Sequence, residues 1–294
     1  MKSLRFWVSA LCALLFGCCA VSSADAQDSL HVRFLDVGQG DAVFIQAPND
    51  KNVLYDAGTA YSGTTAKLRE MGVSRVDLMI ASHPHADHIG GMPEAIRYFK
   101  PNAVIHNSQL HTTRTFERFL ESVFYAQSHL LAPRDTVITL GPHTDLHLYA
   151  LPGGHRGLND NSVTVVLEHG EFTLSLSGDA EEAQWETLTG QIDPALTPVA
   201  VHKSSHHGSR NGDTAEGIGF LRPEHVIISL GKDNRYAHPH REALELYFSV
   251  GAYVWRTDCD GYVHITAAKD GVFAIRPERT SERDRASHLP GASK

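Results

Sequence analysis

The sequence predicts an α/β protein in which two β-sheets face each other with helices on their outer faces. Three observations point there. Short apolar, β-branched runs bounded by Gly, Asn, Asp and Ser recur in both halves of the chain. Segments with helical apolar spacing fall between them. Several of the apolar runs end abruptly on Asp or His, as strands do when they present side chains at a sheet edge. With 294 residues, 42% of them hydrophobic, the chain suffices for one large domain with a sizeable core.

Lys2 and Arg5 precede an apolar run over residues 6–16, and Ala24-Asp25-Ala26 follows. A basic start, a short apolar run and a small-residue pattern read as a secretory signal over residues 1–26, cleaved after Ala26. The run is short for a membrane span, and no second segment is apolar over a spanning length. The alternative is lipid attachment at Leu15-Phe16-Gly17-Cys18, against which stands the bulk of Phe16. The expected location is the periplasm or the outside of the cell.

Residues 30–37 alternate loosely and form the first strand, Gly38-Gln39-Gly40-Asp41 a turn, and residues 42–45 and 52–55 the rest of a meander. Residues 64–71 and 93–99 read as helices and 104–106 as a short strand. Residues 114–131 read as one helix, from the spacing of Phe116, Phe119, Leu120 and Phe124. In the second half, residues 136–140 and 146–150 are strands, and 162–168 with 172–177 form a hairpin around His169-Gly170. A helix over 181–188, strands over 199–201 and 226–230, and a helix over 241–250 follow. Strands over 253–255, 262–266 and 272–275 close a single domain spanning residues 27–276. Residues 277–294 are charged and polar and read as a disordered tail.

Cys12, Cys18 and Cys19 lie in the signal, which leaves Cys259 alone in the mature chain. An exported chain with one cysteine holds no internal disulfide, so packing must sustain it. The formal charge is −8, and loss of Lys2, Arg5 and Asp25 with the signal takes it to −9. Such a chain is unlike a protein that grips a duplex mainly through its phosphates.

His83-Pro84-His85-Ala86-Asp87-His88 carries the chemistry. A strand would put residues 83, 85 and 87 on one face and 88 on the other; a helix would pair 83 with 87 and exclude 85. A turn brings all four together, and Pro84 opposes a regular helix. Imidazoles and a carboxylate are ligands for zinc and similar divalent metals. Four of them exceed the needs of an open one-metal site, so a two-metal site is expected.

Further ligand types stand at other strand ends. Tyr55-Asp56-Ala57-Gly58 and Ser177-Gly178-Asp179 each end a strand on a carboxylate, and Asp179 could bridge two metals. Lys203-Ser204-Ser205-His206-His207-Gly208-Ser209 adds two imidazoles. Asn234-Arg235-Tyr236-Ala237-His238-Pro239 places His238 after another strand, as a substrate contact or proton donor to a leaving oxygen. The glycines at 38 and 40 serve a tight turn, while Asp41 is open to holding a ligand histidine. His31, His106, His111, His129, His169, His202 and His264 read as ordinary side chains.

In this order, Asp56, His-x-His-x-Asp-His, Asp179 and a late His resemble the metallo-β-lactamase superfamily of hydrolases. The resemblance implies a four-layer αβ/βα sandwich with metals between the sheet edges. It implies that His83 and His85 bind the first metal, Asp87 and His88 the second, and Asp179 both. His206 or His207 would complete the second site, with His207 preferred for its following Gly-Ser. Phe34-Leu35-Asp36-Val37-Gly38-Gln39-Gly40-Asp41-Ala42, Asn159-Asp160-Asn161-Ser162-Val163, Ser177-Gly178-Asp179, the 206–209 block and the 234–239 block further resemble the hydrolase domain of ComEC-type competence proteins. One departure stands out: where most superfamily members carry a metal-binding His ahead of the hairpin, this chain has Asn159-Asp160-Asn161-Ser162, with His155 nearby but out of register. Asn159 or His155 would then take that place, or the first site would be weak.

The expected protein is an exported metallohydrolase with two divalent ions, Zn²⁺ or alternatively Mn²⁺, and with Asp87 and His238 as its catalytic side chains. The ions lower the pKa of a shared water. The ComEC resemblance implies a phosphodiester substrate, DNA or a nucleotide, and the acidic chain favours a short one. The alternatives are hydrolysis of a lactam, lactone or ester, or a degenerate domain that binds metal without turnover.

Overall fold

The computed structural model of the chain describes residues 28–49, 51–150, 154–155 and 157–279. The signal expected over residues 1–26 lies outside them, as does most of the expected tail.

The first sheet begins with an antiparallel meander of β1 (Leu30–Phe34), β2 (Val43–Gln46) and β3 (Asn52–Tyr55). Parallel strands β4 (Leu78–Ala81), β5 (Ala103–His106) and β6 (His129–Leu131) extend it, and β14 (Val263–Ala267) and β15 (Phe273–Pro277) close its other edge. The second sheet holds β7 (Thr136–Gly141), β8 (Thr144–Tyr149), β9 (Thr164–His169), β10 (Phe172–Leu176), β11 (Val201–Lys203), β12 (His225–Ile228) and β13 (Tyr253–Arg256), side by side in reverse order.

Strand alternation builds the layers. Val43, Ile45, Val53, Tyr55 and Ile80 point between the sheets, where they meet Val165, Leu167, Leu174, Leu176 and Val201. Phe44, Leu54 and Met79, one residue out of step, face the other way onto α1 (Thr64–Glu70), α2 (Ala86–Ile89), α3 (Met92–Phe99) and α4 (Arg114–Ala126), where Leu68, Ile89, Ile96, Phe99, Phe116 and Phe119 pack. The second sheet is covered by α5 (Glu182–Gln191), α6 (Ala215–Leu221) and α7 (Arg241–Ser249), through Trp185, Leu188, Ile218 and Tyr247. Strands covered on both faces read as nearly continuous apolar runs, and residues 78–81 do. The result is the expected four-layer sandwich.

Several boundaries differ from the sequence reading. The first strand stops at Phe34 rather than residue 37, where the chain enters the loop that carries Gly38-Gln39-Gly40. The helix read over 114–131 ends at Ala126: Gln127 takes a left-handed conformation (φ 58°), and His129–Leu131 pairs with β5 as an edge strand. Helical spacing in Phe116–Phe124 masked the change because Leu130 and Leu131 continue the apolar pattern. The strand expected over 199–201 starts at Val201. Short helices α6 and α8 (Thr257–Asp260) were not anticipated. Pro277, placed in the tail by its composition, ends β15.

Candidate metal centre

Chemistry-bearing residues gather where β3, β4, β10, β11 and β12 end, each strand delivering its side chains from its C-terminal edge. The His83–His88 block is only half a turn. His85 is extended and caps a one-turn helix, Ala86–Ile89, whose first turn carries Asp87 and His88. Pro84 therefore marks the helix start, not its exclusion. The turn is held from below by the glycine-rich loop: Asp41 N–H donates to Asp87 O at 3.1 Å. Gly40 (φ 143°) packs onto the same Asp87 carbonyl, so any Cβ there would collide with it. The close-approach role of this glycine thus adds to its turn role.

Two sets of ligand atoms converge on Asp179. In one, His83 Nε2 lies 2.9 Å from His85 Nδ1 and 3.8 Å from Asp179 Oδ2. The other joins Asp41, His88, Asp179 and His207: His88 Nε2 is 3.2 Å from Asp179 Oδ2 and His207 Nε2 is 3.5 Å from Asp179 Oδ1, while Asp87 Oδ2, outside that group, lies 3.5 Å from the same His207 Nε2. His88 Nε2, His207 Nε2 and Asp179 Oδ1 are buried without a hydrogen-bond partner. Buried polar atoms seldom stay unpaired, and this trio shares one small volume, as ligands of a cation would.

The opposite ring nitrogens are occupied, which sets the tautomers. His88 Nδ1 sits 2.8 Å from Asp56 Oδ2, a carboxylate that can only accept. His207 Nδ1 donates to Ser229 O at 2.9 Å. Both rings therefore turn a free Nε2 toward Asp179, the arrangement typical of ligand histidines. Asp56 also accepts from Ser82 N–H and Oγ, at 2.8 and 2.6 Å, which ties it to the strand that carries His83. Asp41 approaches His207 Nδ1 (3.3 Å) and His88 Nδ1 (3.6 Å), so it lies behind the two rings.

The field of the site attracts positive charge. Burial alone would raise the Asp179 carboxyl, but His88 and His207 outweigh it and hold it well below the usual carboxylate range. Burial would push the His88 ring down, yet Asp179 and Asp56 drive it well above its ordinary value. His207, likewise opposed by burial, is pushed up to about 10 by Asp179 and Asp41. The field that favours positive charge on these two buried imidazoles favours a divalent cation beside them for the same reason. The donor set, with its unpaired atoms and net negative field, fits metal ions.

Of the residues singled out from sequence, His83, His85, Asp87, His88, Asp179, His207 and Asp56 all lie in this cluster. His206 stands beside it: its Nδ1 is 3.0 Å from Glu181 Oε1 and its Nε2 3.8 Å from Asp179 Oδ2. Gln39, Asn159, Tyr236 and His238 complete a cavity of about 320 Å³ whose floor is Asp87, Asp179 and His207. His238 stacks on His207 (ring centroids 6.4 Å apart) and on Tyr236 (5.6 Å). Burial, then the charges of His207 and His240, push it down to about 4. His155 lies apart: its backbone N–H and C=O are both tied to the Asn161 side chain, and it lines neither the cavity nor either ligand group.

Sequence reasoning passed over Lys203, Ser82 and Glu181. Lys203 is fully buried, ion-paired with Asp41, and donates to Gly178 O at 2.9 Å. A lysine at the end of the strand Val201–Lys203, three residues ahead of the histidine pair, was the available signal.

The metallo-beta-lactamase superfamily pattern matches residues 35–232 of the chain. The chain is 28% identical over 275 residues to the ComE operon protein 3 of Bacillus subtilis (strain 168), covering 84% of this chain and 34% of that protein. It spans about a third of the length of the curated relatives it matches. Among solved structures, the metallo-beta-lactamase fold protein YhfI from Bacillus subtilis superposes with a TM-score of 0.53 at 14% identity, over 84% of this chain and 99% of that one. CmlA from Streptomyces venezuelae, a diiron beta-hydroxylase, gives 0.54 at 16% identity, over 77% and 52%. The four layers, the ligand block at the strand ends and the matched pattern agree: the chain belongs to the metallo-beta-lactamase superfamily.

Proposed function

We propose that this metallohydrolase is an exported phosphodiesterase that cleaves short or single-stranded DNA, or nucleotides, with two divalent metal ions, zinc or manganese. The observation that carries this reading is the aromatic wall beside the ligand cluster: Tyr236 stacked on His238, itself stacked on His207. A nucleotide needs both parts, a flat surface for its base and a cationic floor for its phosphate. The resemblance to competence proteins supports the same substrate class.

His83 and His85 would hold one ion, Asp87, His88 and His207 the other, and Asp179 both. When bound, the ions supply Lewis acidity and bring water toward ionisation at neutral pH. Asp87 is held ionised: burial raises its carboxyl, and His207 and His88 more than reverse this. Beyond serving as a ligand, this carboxylate on the cavity floor orients a water's proton toward itself. Burial and the imidazoles around it push His238 down to about 4, and a neutral ring suits a hydrogen-bond donor to a phosphate oxygen, the substrate contact among the two roles expected from sequence. Tyr236 is 45% exposed and carries the Arg235 guanidinium over its ring at 5.0 Å, which sets a cation for phosphate beside the aromatic wall. The acidic chain repels a long duplex, which leaves short or single-stranded substrates.

The test is turnover by protein loaded with Zn²⁺ or Mn²⁺, on a single-stranded oligonucleotide, an aryl phosphodiester, a lactam and a lactone. Cleavage of both phosphodiesters is expected. Turnover of the lactam or lactone alone would replace this reading with the second hydrolase class, and a fully loaded protein that turns over none would make the domain a metal-binding one.

A further inference from the structure

Residues 107–113 join β5 to α4 and pass beside the ligand cluster. Asn107 and Gln109 brace this loop: Asn107 Nδ2 donates to Gln109 Oε1 at 2.9 Å, and Gln109 N–H donates to Asn107 Oδ1 at 3.2 Å. Beyond the brace, Leu110 stands 84% exposed, and the His111 ring meets His85 edge-on with centroids 6.3 Å apart. His111 belongs to neither ligand group. Its aim comes from α4. Thr113 caps that helix, its Oγ1 accepting from Phe116 N–H at 3.3 Å and lying 3.1 Å from His111 Nδ1. A hydroxyl that accepts from the helix still has its own proton to donate, here to Nδ1, which puts the ring hydrogen on Nε2. Read from sequence as ordinary, His111 is a braced N–H donor at the rim of the site.

We propose that His111 is a substrate-binding residue whose Nε2–H holds the phosphate next to the scissile one, with Leu110 packed on the sugar or base between them. The inference deepens the phosphodiesterase reading above and rests on it. The cleft is two-ended: His238 stacks on His207 of one ligand group, and His111 abuts His85 of the other. A phosphate seated on the ligand cluster has an imidazole beyond it on each side. On the His111 side, the 6.3 Å step from His85 suits the neighbouring phosphate of an extended strand. In a chain of net charge −8, affinity for a second phosphate has to come from such local donors, since the overall field opposes it. A lactam or lactone has no group that reaches this donor.

The experiment compares Mn²⁺-loaded wild type and variants on a dinucleotide, which has a single phosphodiester, and on a trinucleotide, which adds its neighbour. Wild type should show the lower KM on the trinucleotide. In His111→Ala, the ratio of kcat/KM on the trinucleotide to that on the dinucleotide should fall about tenfold, the loss of one hydrogen bond to a charged group. The fall should lie in the trinucleotide KM and not in its kcat. His111→Gln, which keeps a donor of similar reach, should recover most of it. Leu110→Ser should raise the same KM by less. An unaltered ratio in His111→Ala would overturn the proposal. So would equal losses of kcat on both substrates, which would put His111 at the scissile phosphate, or loss of a metal ion, which would make it a ligand. An unaltered trinucleotide KM in Leu110→Ser would remove the apolar contact. A wild type that cleaves neither substrate would overturn the phosphodiesterase reading itself.

Discussion

Lys203 and Asp41 form a completely buried ion pair directly behind the histidines of the metal centre. The ammonium also donates to the Gly178 carbonyl, and the carboxylate lies 3.3 Å from His207 Nδ1. Burial would lower the Lys203 ammonium, but Asp41 and Asp179 outweigh it and raise it. Removing one member leaves the other charge buried and unpaired. Lys203→Met should therefore destabilise the metal-free protein by about 3–5 kcal/mol, read by urea unfolding. Adding Asp41→Asn to the same chain should recover part of that loss. A Lys203→Met protein as stable as wild type would show that the pair contributes nothing.

Asp56 acts through His88. Its Oδ2 is 2.8 Å from His88 Nδ1, and both side chains are fully buried. Without that acceptor the ring is free to turn and loses basicity at Nε2. Asp56→Ala should weaken binding of the second ion by about 10–100-fold, measured by competition with a chelating dye. Asp56→Asn, which keeps a carbonyl acceptor, should fall between the two. Unchanged affinity in Asp56→Ala would leave the carboxylate a purely structural partner of Ser82.

His238→Ala should keep both metals and the fold, because the ring is stacked on His207 without belonging to either ligand group. Loss of one hydrogen bond to a transition-state oxygen costs about 10²–10³-fold in kcat. A neutral ring that donates to a phosphate oxygen should show the same loss on activated and unactivated phosphodiesters. A loss that shrinks sharply on the activated ester would restore the proton-donor role, and loss of metal would make His238 a ligand.

The pH dependence of stability has a component far from the site. His31 Nδ1 and His264 Nε2 lie 3.2 Å apart on neighbouring strands β1 and β14. Burial, then Arg33 and His31, push His264 down to about 4, and His31 is also lowered, by burial and then Arg33. A folded pKa below the unfolded value of about 6.5 means that the neutral rings stabilise the fold above that pH. The contribution is lost as pH falls from 6.5 toward 4. In chelator, the melting temperature of wild type should therefore fall over this window more steeply than that of His264→Gln, by a few degrees. Parallel curves would locate the acid sensitivity elsewhere.

How much was legible can be judged residue by residue. His83, His85, Asp87, His88, Asp179 and His207 stand in blocks whose types and spacing already say metal, and the tertiary structure brings them together. The helix–strand switch after Ala126 was hidden because Leu130 and Leu131 fit either period. His155 and Asn159 are four residues apart in one loop, and nothing local distinguishes the one that lines the cavity from the one bound back to Asn161.

The sequence by itself determined the two-sheet α/β architecture and the ligand types at the strand ends, because strand period and donor chemistry are local properties. Only the tertiary structure decided which ring nitrogen of His88 and His207 is free, that Lys203 meets Asp41, and that Glu181 grips Asn159 and His206 together. The physical reason is range. These contacts join ends of strands in two different sheets, and a side chain's charge, tautomer and aim are set by whatever the fold places within about 3 Å of it.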